Sequence, residues 1–587
     1  MTSVEIIKMI AFLCGGLAFF LYGMNVMSSG LEKMSGGKLE GMLRKSTSNK
    51  LKSISLGAGI TIAIQSSSAV TVMLVGLVNS GIMVLGQTIG VIMGSNIGTT
   101  LTAWILALNG AEIKNPFLAA LKPNIFSLVL ALLGIAMTML SKNEKKKDIG
   151  SILVGFAVLI YGMELMGQAV DPLAESEGFK QILTAFENPL LGVLLGAVFT
   201  GIIQSSAASV GILMGFANAG LITFRMAAPI VMGQNIGTCV TALISSIGVN
   251  KNAKRVAVVH ITFNLIGTAI FLLIYCLGDW LIGFSFSDMQ VNSVTIAAIH
   301  TVFNVITTLM LLPFSKMLER IANLVVKTDD EKVEEYSFID QRLLATPSVA
   351  IAECDRKTRE MARLAKNTMM GAMAMLENYD PKVAEQLIKD EDQLDFYEDK
   401  LGTCLVQLSS KSLSDEDSKR VAKQLHTIGD FERIGDHALN LLMAAKECHE
   451  KNVQFSADAL KELKVATAAL TEILDITVES FCKEDIVLAS KVEPLEQVID
   501  HIMDKMKALH IERLQSGKCT IQLGFILSDI LTNYERISDH CSNIAVALIE
   551  TKQNAYEAHE YLNGLKQAGD PEYETAYLNF RQKYSLK

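Results

Sequence analysis

Two short polar strings interrupt otherwise apolar sequence: Gln65-Ser66-Ser67-Ser68, with Thr71 close behind, and Gln204-Ser205-Ser206, with Ser209 close behind. Asn96, Thr99, Thr100 and Thr102 follow the first string, and Asn235, Thr238 and Thr241 follow the second. Amide and hydroxyl oxygens, joined by backbone carbonyls freed where a helix breaks, are the hard neutral ligands that a sodium ion takes. Hydroxyls and the free N–H groups at a helix start suit phosphate or another oxyanion. Glycines at 94, 98, 233 and 237 predict that the Asn-bearing segments unwind locally and release such carbonyls.

A second constellation lies in the polar half of the chain. Glu391 and Asp395, Glu432 and Asp436, Glu496 and Asp500, and Glu535 and Asp539 are each spaced Glu-x-x-x-Asp. On a helix, positions i and i+4 share a face, so both carboxylates of a pair reach one metal ion. A solvated acidic face accounts for most isolated pairs of this kind. Like charges at this spacing repel, however, and four symmetric copies point to a bound cation, divalent or iron-type, whose identity the sequence leaves open.

The elements that must position these residues are written twice. At a constant offset of 139 residues, Leu21-Tyr22-Gly23-Met24 returns as Ile160-Tyr161-Gly162-Met163, and Gln65-Ser66-Ser67 as Gln204-Ser205-Ser206. Gly94 with Asn96-Ile97-Gly98-Thr99 returns as Gly233 with Asn235-Ile236-Gly237-Thr238 at the same offset. The chain of 587 residues is half hydrophobic, with mean hydropathy +0.35, and its polarity is uneven. Apolar runs of membrane-crossing length fall at about 5–29, 84–108, 118–140, 149–168, 224–247, 254–277 and 293–315. The segments at about 53–82 and 187–221, which hold the Gln-Ser-Ser strings, are polar at their centres and read as re-entrant helical hairpins.

Charge sets the orientation. Lys33, Lys38, Arg44, Lys45, Lys50 and Lys52, then Lys142 and Lys145 to Lys147, then Lys251, Lys254 and Arg255, mark cytoplasmic flanks. The flank with Asp171, Glu175, Glu177 and Glu187 against Lys180, and the Lys- and Arg-free 278–292, read as external. Seven crossings and two hairpins satisfy every flank, with the N-terminus outside and the acidic half inside. The basic flank after Met24 and the acidic flank after Met163 then lie on opposite sides, so the repeats are inverted. Inverted repeats place a site at the midplane between them. Ser, Thr and Gly also glue membrane helices together; two copies, each at a chain break, favour a binding site.

These residues carry a family resemblance. The Gln-Ser-Ser-Ser hairpin followed by Gly-Ser-Asn-Ile-Gly-Thr, repeated once, resembles the type II sodium-phosphate cotransporter family over about residues 1–315. The resemblance implies that Gln65, Ser66, Ser67, Ser68, Asn96, Thr99, Thr100, Gln204, Ser205, Ser206, Asn235 and Thr238 bind phosphate and sodium. The second copy departs from the pattern, with Ala207 for Ser68 and Gln234 for Ser95, which leaves the number of sodium sites open. The His-x-x-Phe-Asn pattern of the family stands at His260–Asn264 and His300–Asn304. Their histidines are expected to pack and hydrogen-bond rather than relay protons. Arg225 is read either as an attractor of anions at the external mouth or as an interfacial anchor. Glu164, opposite Asn25 in the repeat, is a weaker ion-site candidate.

From about residue 345, apolar residues recur at helical spacing with few breaks. Phe431-Glu432-Arg433-Ile434-Gly435-Asp436-His437 returns as Tyr534-Glu535-Arg536-Ile537-Ser538-Asp539-His540. That doubled signature is similar to the PhoU family of phosphate-signalling regulators over about 346–555, which implies tandem three-helix bundles with metal clusters on the acidic faces. Asn533, where the first copy has Asp430, is then one ligand lost.

The fold class expected is all-α: a membrane domain of two inverted repeats with re-entrant hairpins, then a soluble PhoU-like pair of bundles. The boundaries are 1–325 for the membrane domain (repeats 5–140 and 149–277, extra span 293–315), 326–345 for a linker, 346–555 for the PhoU-like domain and 556–587 for a tail. The N-terminal apolar run lacks a cleavage site and reads as a retained span. The expected function is sodium-coupled symport of inorganic phosphate across a bacterial inner membrane, under control of the PhoU-like domain. Export of phosphate or an organophosphate, and a non-transporting sensor, are the alternatives. Sodium is the co-substrate, and the partners are phosphate, sodium and the lipid bilayer, with a homodimer left open. The net charge of −9 argues against nucleic acid. Nine scattered cysteines without a C-x-x-C pair argue against a disulfide scaffold. With no phosphate-cradling Gly-x-x-x-x-Gly-Lys loop and no nucleophile elbow, an enzyme is not expected.

Overall fold

The computed structural model describes residues 3–35, 49–107, 123–174, 176, 181, 183–327, 338–553 and 571–586. Lys38, Arg44, Lys45, Glu175, Glu177 and Lys180, the start of the 118–140 span, much of the 326–345 linker and the start of the 556–587 tail lie outside these residues. Among the described residues every regular element is a helix, and one isolated bridge joins Thr223 to Gln290. The chain divides into two compact units near residue 350.

The first unit runs α1 (Ser3–Ser35), α2 (Lys50–Ile64), α3 (Ser67–Asn79), α4 (Leu85–Ala107), α5 (Pro123–Leu140), α6 (Glu144–Ala174), α7 (Pro189–Ile203), α8 (Ser206–Asn218), α9 (Phe224–Ser245), α10 (Lys251–Ile282), α11 (Ser293–Leu311) and α12 (Ser315–Val325). Among the described residues six helices are long and apolar enough to cross a membrane: Ile6–Met34, Leu85–Ala107, Glu144–Val170, Phe224–Ser245, Lys251–Ile282 and Ser293–Leu311. Phe126–Leu140, Pro189–Ile203 and Ser206–Asn218 are shorter apolar helices, and α2 and α3 form a pair bent by 120°.

The inversion of the repeats is visible in how α1 meets α6. Gly16 and Gly23 correspond to Gly155 and Gly162 in the repeat. A Cβ at Gly16 would stand 2.8 Å from the Gly162 carbonyl oxygen, and one at Gly23 2.6 Å from that of Gly155. First meets second and second meets first, so equivalent helices pack antiparallel about a two-fold axis. Such backbone proximity is open only to glycine.

The same device replaces the unwinding expected at Gly94, Gly98, Gly233 and Gly237, and that expectation is corrected. α4 and α9 run unbroken through all four glycines. A Cβ at Gly94 would lie 2.0 Å from the Ile54 carbonyl oxygen, and one at Gly233 2.0 Å from that of Val193. At Gly98 and Gly237 the carbonyls of Ala58 and Ala197 stand 2.7 and 2.4 Å away. These glycines seat the first hairpin arm, α2 or α7, on its own motif helix.

The two repeats then exchange partners. The second arm α3 packs on α9 and α10 of the other repeat, and α8 packs on α4. The additional helix α11 lies against α4 much as α10 lies against α9. α10 and α11 cross where a Cβ at Gly267 would come 2.5 Å from the Thr307 methyl carbon.

The second unit runs α13 (Pro347–Met375), α14 (Pro381–Ser409), α15 (Asp415–Glu450), α16 (Ala457–Lys483), a single turn Ile486–Ala489, α17 (Val492–Gln515), α18 (Ile521–Gln553) and α19 (Pro571–Lys583). Three long helices in each half give two bundles, joined through α15 and α18. The end of the expected tail is packed: α19 lies on α17, and Lys505 Nζ donates to the Leu586 carbonyl at 2.6 Å.

Candidate functional site

The two chain breaks fall at the glutamines. Gln65 and Gln204 adopt left-handed backbone with φ of 56° and 58°, ending α2 and α7. A β-carbon makes that conformation costly, so it marks both glutamines out from the helices they end. The next residue of each string is extended and caps the returning helix. Ser66 Oγ accepts from the Ala69 N–H at 3.1 Å and Ser205 Oγ from the Ala208 N–H at 3.2 Å. The first N–H groups of α3 and α8 thus start at the tips, where a helix leaves donors without an intrahelical acceptor.

The tips differ in what surrounds them. Gln65 is buried, while Gln204, expected in the same environment, is exposed. Gln65 Oε1 accepts from Thr102 Oγ1 at 3.0 Å, and Ser28 of α1 donates its hydroxyl to the Ile64 carbonyl. In the second repeat the equivalent of Ser28 is Gly167, which has no hydroxyl to give, and Thr241, the equivalent of Thr102, has a buried hydroxyl without a partner. The first tip is tied down and the second is not. Ser28 escaped notice in the sequence, since nothing in α1 marks one serine above its neighbours.

The remaining predicted residues lie on α3, α8, α4 and α9. Ser67 is buried and its carbonyl accepts from Thr71; Ser68 and Ser206 are half-buried beside the tips. Asn96 and Asn235 are buried, and each donates its amide nitrogen to a carbonyl one turn back, Ile92 and Val231. Thr99, Thr100 and Thr238 likewise donate to carbonyls of their own helices, at 3.0, 2.7 and 3.0 Å. Such back-bonding leaves hydroxyl lone pairs free to accept or coordinate.

The departures of the second repeat prove to be linked. Gln234 Nε2 donates to Ser209 Oγ at 2.9 Å, and Thr200 Oγ1 donates to the same oxygen at 2.8 Å. Their first-repeat equivalents are Ser95, Val70 and Thr61. Ser95 bonds its own helix at Ile92, and Thr61 has a buried hydroxyl without a partner. Gln234 therefore comes with Ser209 and keeps a buried, unpartnered Oε1 beside the second hairpin.

Around this centre, His260, Asn264, His300 and Asn304 are wholly buried on α10 and α11. Packing is as expected; the hydrogen bonding is not, because neither ring nitrogen of His260 has a partner. Arg225 is no free anion attractor, since it pairs with Asp279 at 2.8 Å and Asp288 at 3.0 Å.

In the second unit, the acidic pairs assemble across facing helices. Glu391 and Asp395 of α14 meet Asp436 of α15, and Glu496 and Asp500 of α17 meet Asp539 of α18, with ligand atoms within 4.8 Å of one another in each group. Glu432 and Glu535 stay outside these groups; Glu535 instead bonds Lys507 at 2.9 Å. Burial, then the Asp395 and Asp436 carboxylates, push Glu391 up to about 7. Burial, then Asp539 and Glu535, push Asp500 up to about 6. Arg433 reaches Asp436 at 3.2 Å and Arg536 reaches Asp539 at 3.6 Å, and three hard oxygen donors drawn this close fit a cation. Asp430 stands outside both groups: it accepts from His540 Nδ1 at 2.8 Å, and Asn533 takes the mirror place 2.8 Å from His437 Nδ1.

Comparison with known proteins agrees in outline. The Na+/Pi-cotransporter family model matches residues 19–168 and 158–294, and the PhoU domain model matches 358–445 and 467–548. YjbB of Escherichia coli (strain K12), named provisionally for inorganic phosphate export, is 24% identical over 94% of this chain and 99% of its own. YqeW of Bacillus subtilis (strain 168), an uncharacterized protein by name, is 30% identical over 53% of this chain and 96% of its own. The sodium-dependent phosphate transport protein 2A of Rattus norvegicus is 37% identical over 18% of this chain and 16% of its own.

Proposed function

The chain belongs to the Na+/Pi-cotransporter family and carries a PhoU domain, and from that footing we propose that it moves inorganic phosphate by sodium-coupled symport across a bacterial inner membrane. The observation that carries this reading is the pair of left-handed glutamines, each followed by a capping serine, on hairpins of two antiparallel repeats. Phosphate would meet the helix starts and hydroxyls at Ser66, Ser67, Ser68, Ser205 and Ser206. Sodium would take the amide and hydroxyl oxygens of Gln65, Asn96, Thr99, Thr100, Gln204, Asn235 and Thr238. The unpartnered hydroxyls of Thr61 and Thr241 and Oε1 of Gln234 supply further hard oxygens in the same neighbourhood.

A tied first tip and an open second tip suit a carrier facing one side, and alternating access would exchange the roles of the Thr102–Gln65 and Thr241–Gln204 pairs. With the basic flanks inside, the N-terminus lies outside and the PhoU domain in the cytoplasm. There it would bind divalent or iron-type cations at Glu391, Asp395 and Asp436 and at Glu496, Asp500 and Asp539, and set carrier activity by phosphate status.

Gln65→Ala or Gln204→Ala should abolish sodium-dependent phosphate uptake in proteoliposomes while the purified chain stays folded. Wild-type uptake by both variants would defeat the site assignment. The export name of the YjbB relatives supports a second reading, the same carrier running outward. Flux under sodium gradients imposed in each direction separates the two.

A further inference from the structure

We propose that residues 338–345, the stretch leading into the PhoU domain, form a strap that latches the first hairpin to the α9–α10 turn, and that releasing it frees the hairpin to move. The proposal rests on the transport reading above.

The strap docks within the first unit by polar bonds that a passing linker has no need to make. Asp340 is 2% exposed, and its Oδ2 accepts from Asn79 Nδ2, at the end of α3, at 2.5 Å. Its other carboxylate oxygen accepts from the Arg342 N–H at 2.8 Å, fixing a turn of Gln341–Ala345. Arg342 then reaches the end of α9, donating to the carbonyls of Ser245 and Ile247, each at 2.7 Å. A helix C-terminus leaves such carbonyls unsatisfied, and a guanidinium answers both charge and geometry. Leu343 is fully buried and lies 3.0 Å from where a Cβ at Gly76 would stand.

Asn79 is the junction. Besides Asp340, it accepts from the Asn250 N–H at 2.8 Å through its Oδ1. Its repeat equivalent, Asn218, accepts from the N–H of Ser293 at 3.2 Å and from its hydroxyl at 2.9 Å. The end of each hairpin is thus pinned to the start of a following helix, but only the first is also pinned by a segment that continues into the regulatory domain. Because α3 carries the Ser66 cap and packs on α9 and α10, it cannot slide against them while Asp340 and Arg342 bridge both. Movement of the hairpin requires those bonds to part, and the chain that would pull on them begins at Pro347.

The test uses the full chain in proteoliposomes and in detergent. Arg342→Ala should speed amide exchange over 76–82 and 245–250 and raise inorganic phosphate flux several-fold. An Asn79→Cys/Asp340→Cys pair should lose most of its flux on oxidation and regain it with reductant, with wild type treated alike as control. Unchanged exchange in Arg342→Ala overturns the latch whatever the flux does. Faster exchange with equal or lower flux, or full flux through the cross-linked carrier, overturns its control of transport. Wild type that moves no phosphate counts against the transport reading instead, and the exchange arm still decides the strap.

Discussion

Gln65 and Gln204, 139 residues apart, turn the chain through the same left-handed backbone, yet one is buried beneath Thr102 and Ser28 and the other is exposed. The difference lies in two equivalents: glycine stands at 167 where serine stands at 28, and Thr241 does not reach its glutamine as Thr102 does. Two pseudo-equivalent tips under unequal restraints are the arrangement that the proposed carrier would exchange between its two facings.

The tie at the first tip is testable. Thr102→Val removes the donor to Gln65, and Ser28→Ala frees the Ile64 carbonyl. Each hydrogen bond contributes about 1 kcal/mol, so each variant should shift the balance of the two facings by roughly fivefold. Labelling Ser68→Cys, beside the tip and with Gln65 intact, with a soluble maleimide should run correspondingly faster in either background; an unchanged rate would show that neither bond restrains the tip.

The glycine contacts make a sharper prediction. Gly94→Ala or Gly233→Ala drives a methyl to within 2.0 Å of a carbonyl oxygen. Overpacking of this kind costs about 1–3 kcal/mol or more. Gly59→Ala, on the same helix pair but with open space at its Cβ, should be neutral or gain about 0.5–1 kcal/mol of helix propensity. Thermal unfolding in detergent orders the three; equal midpoints would mean that the helices do not approach as described.

The link between Ser209 and Gln234 should appear as non-additivity. Ser209→Val strands the Thr200 hydroxyl and the Gln234 amide, a loss of about 1–3 kcal/mol. Adding Gln234→Ser rebuilds the first-repeat arrangement and should recover part of that loss. A double variant as unstable as the sum of the singles would refute the coupling.

The acidic groups of the PhoU domain fix a pH dependence. Glu391 and Asp500 have folded pKa values raised to about 7 and about 6 from ordinary values near 4.5 and 3.8. A raised carboxyl pKa means that the folded state binds protons more tightly, so its stabilising effect is present at low pH and lost as pH climbs through the folded value. Metal-free protein should therefore melt lower at pH 7.5 than at pH 5.5. Adding manganese or ferrous ion at pH 7.5 should restore the loss, and Glu391→Gln with Asp500→Asn should flatten both effects. A melting temperature indifferent to metal at pH 7.5 would remove the cation from these groups.

What the sequence revealed and what it withheld divide along one line. The inverted repeats, the hairpin breaks and the acidic faces were legible because each is a local pattern that recurs at a fixed offset or helical spacing. Gly94 was misread because its partner, the Ile54 carbonyl, is a backbone atom forty residues away that no side-chain pattern reports. Asp430 looked like a ligand by position in its motif, while its bond to His540 belongs to the crossing of two helices far apart in sequence. The Gln234 departure left the number of sodium sites open, and its bond to Ser209 is a contact between two helices that neither position reports alone. The strap could not be read at all, since Asp340 and Arg342 look like any polar linker until they are found against Asn79 and the end of α9.

The measurement that bears most directly on the transport account is simultaneous sodium and phosphate flux in vesicles holding the purified full chain. An imposed sodium gradient should drive phosphate against its own gradient, with the two moving in fixed ratio, and Gln65→Ala should stop both together. Phosphate movement indifferent to the sodium gradient, or sodium flux that survives Gln65→Ala undiminished, would contradict it.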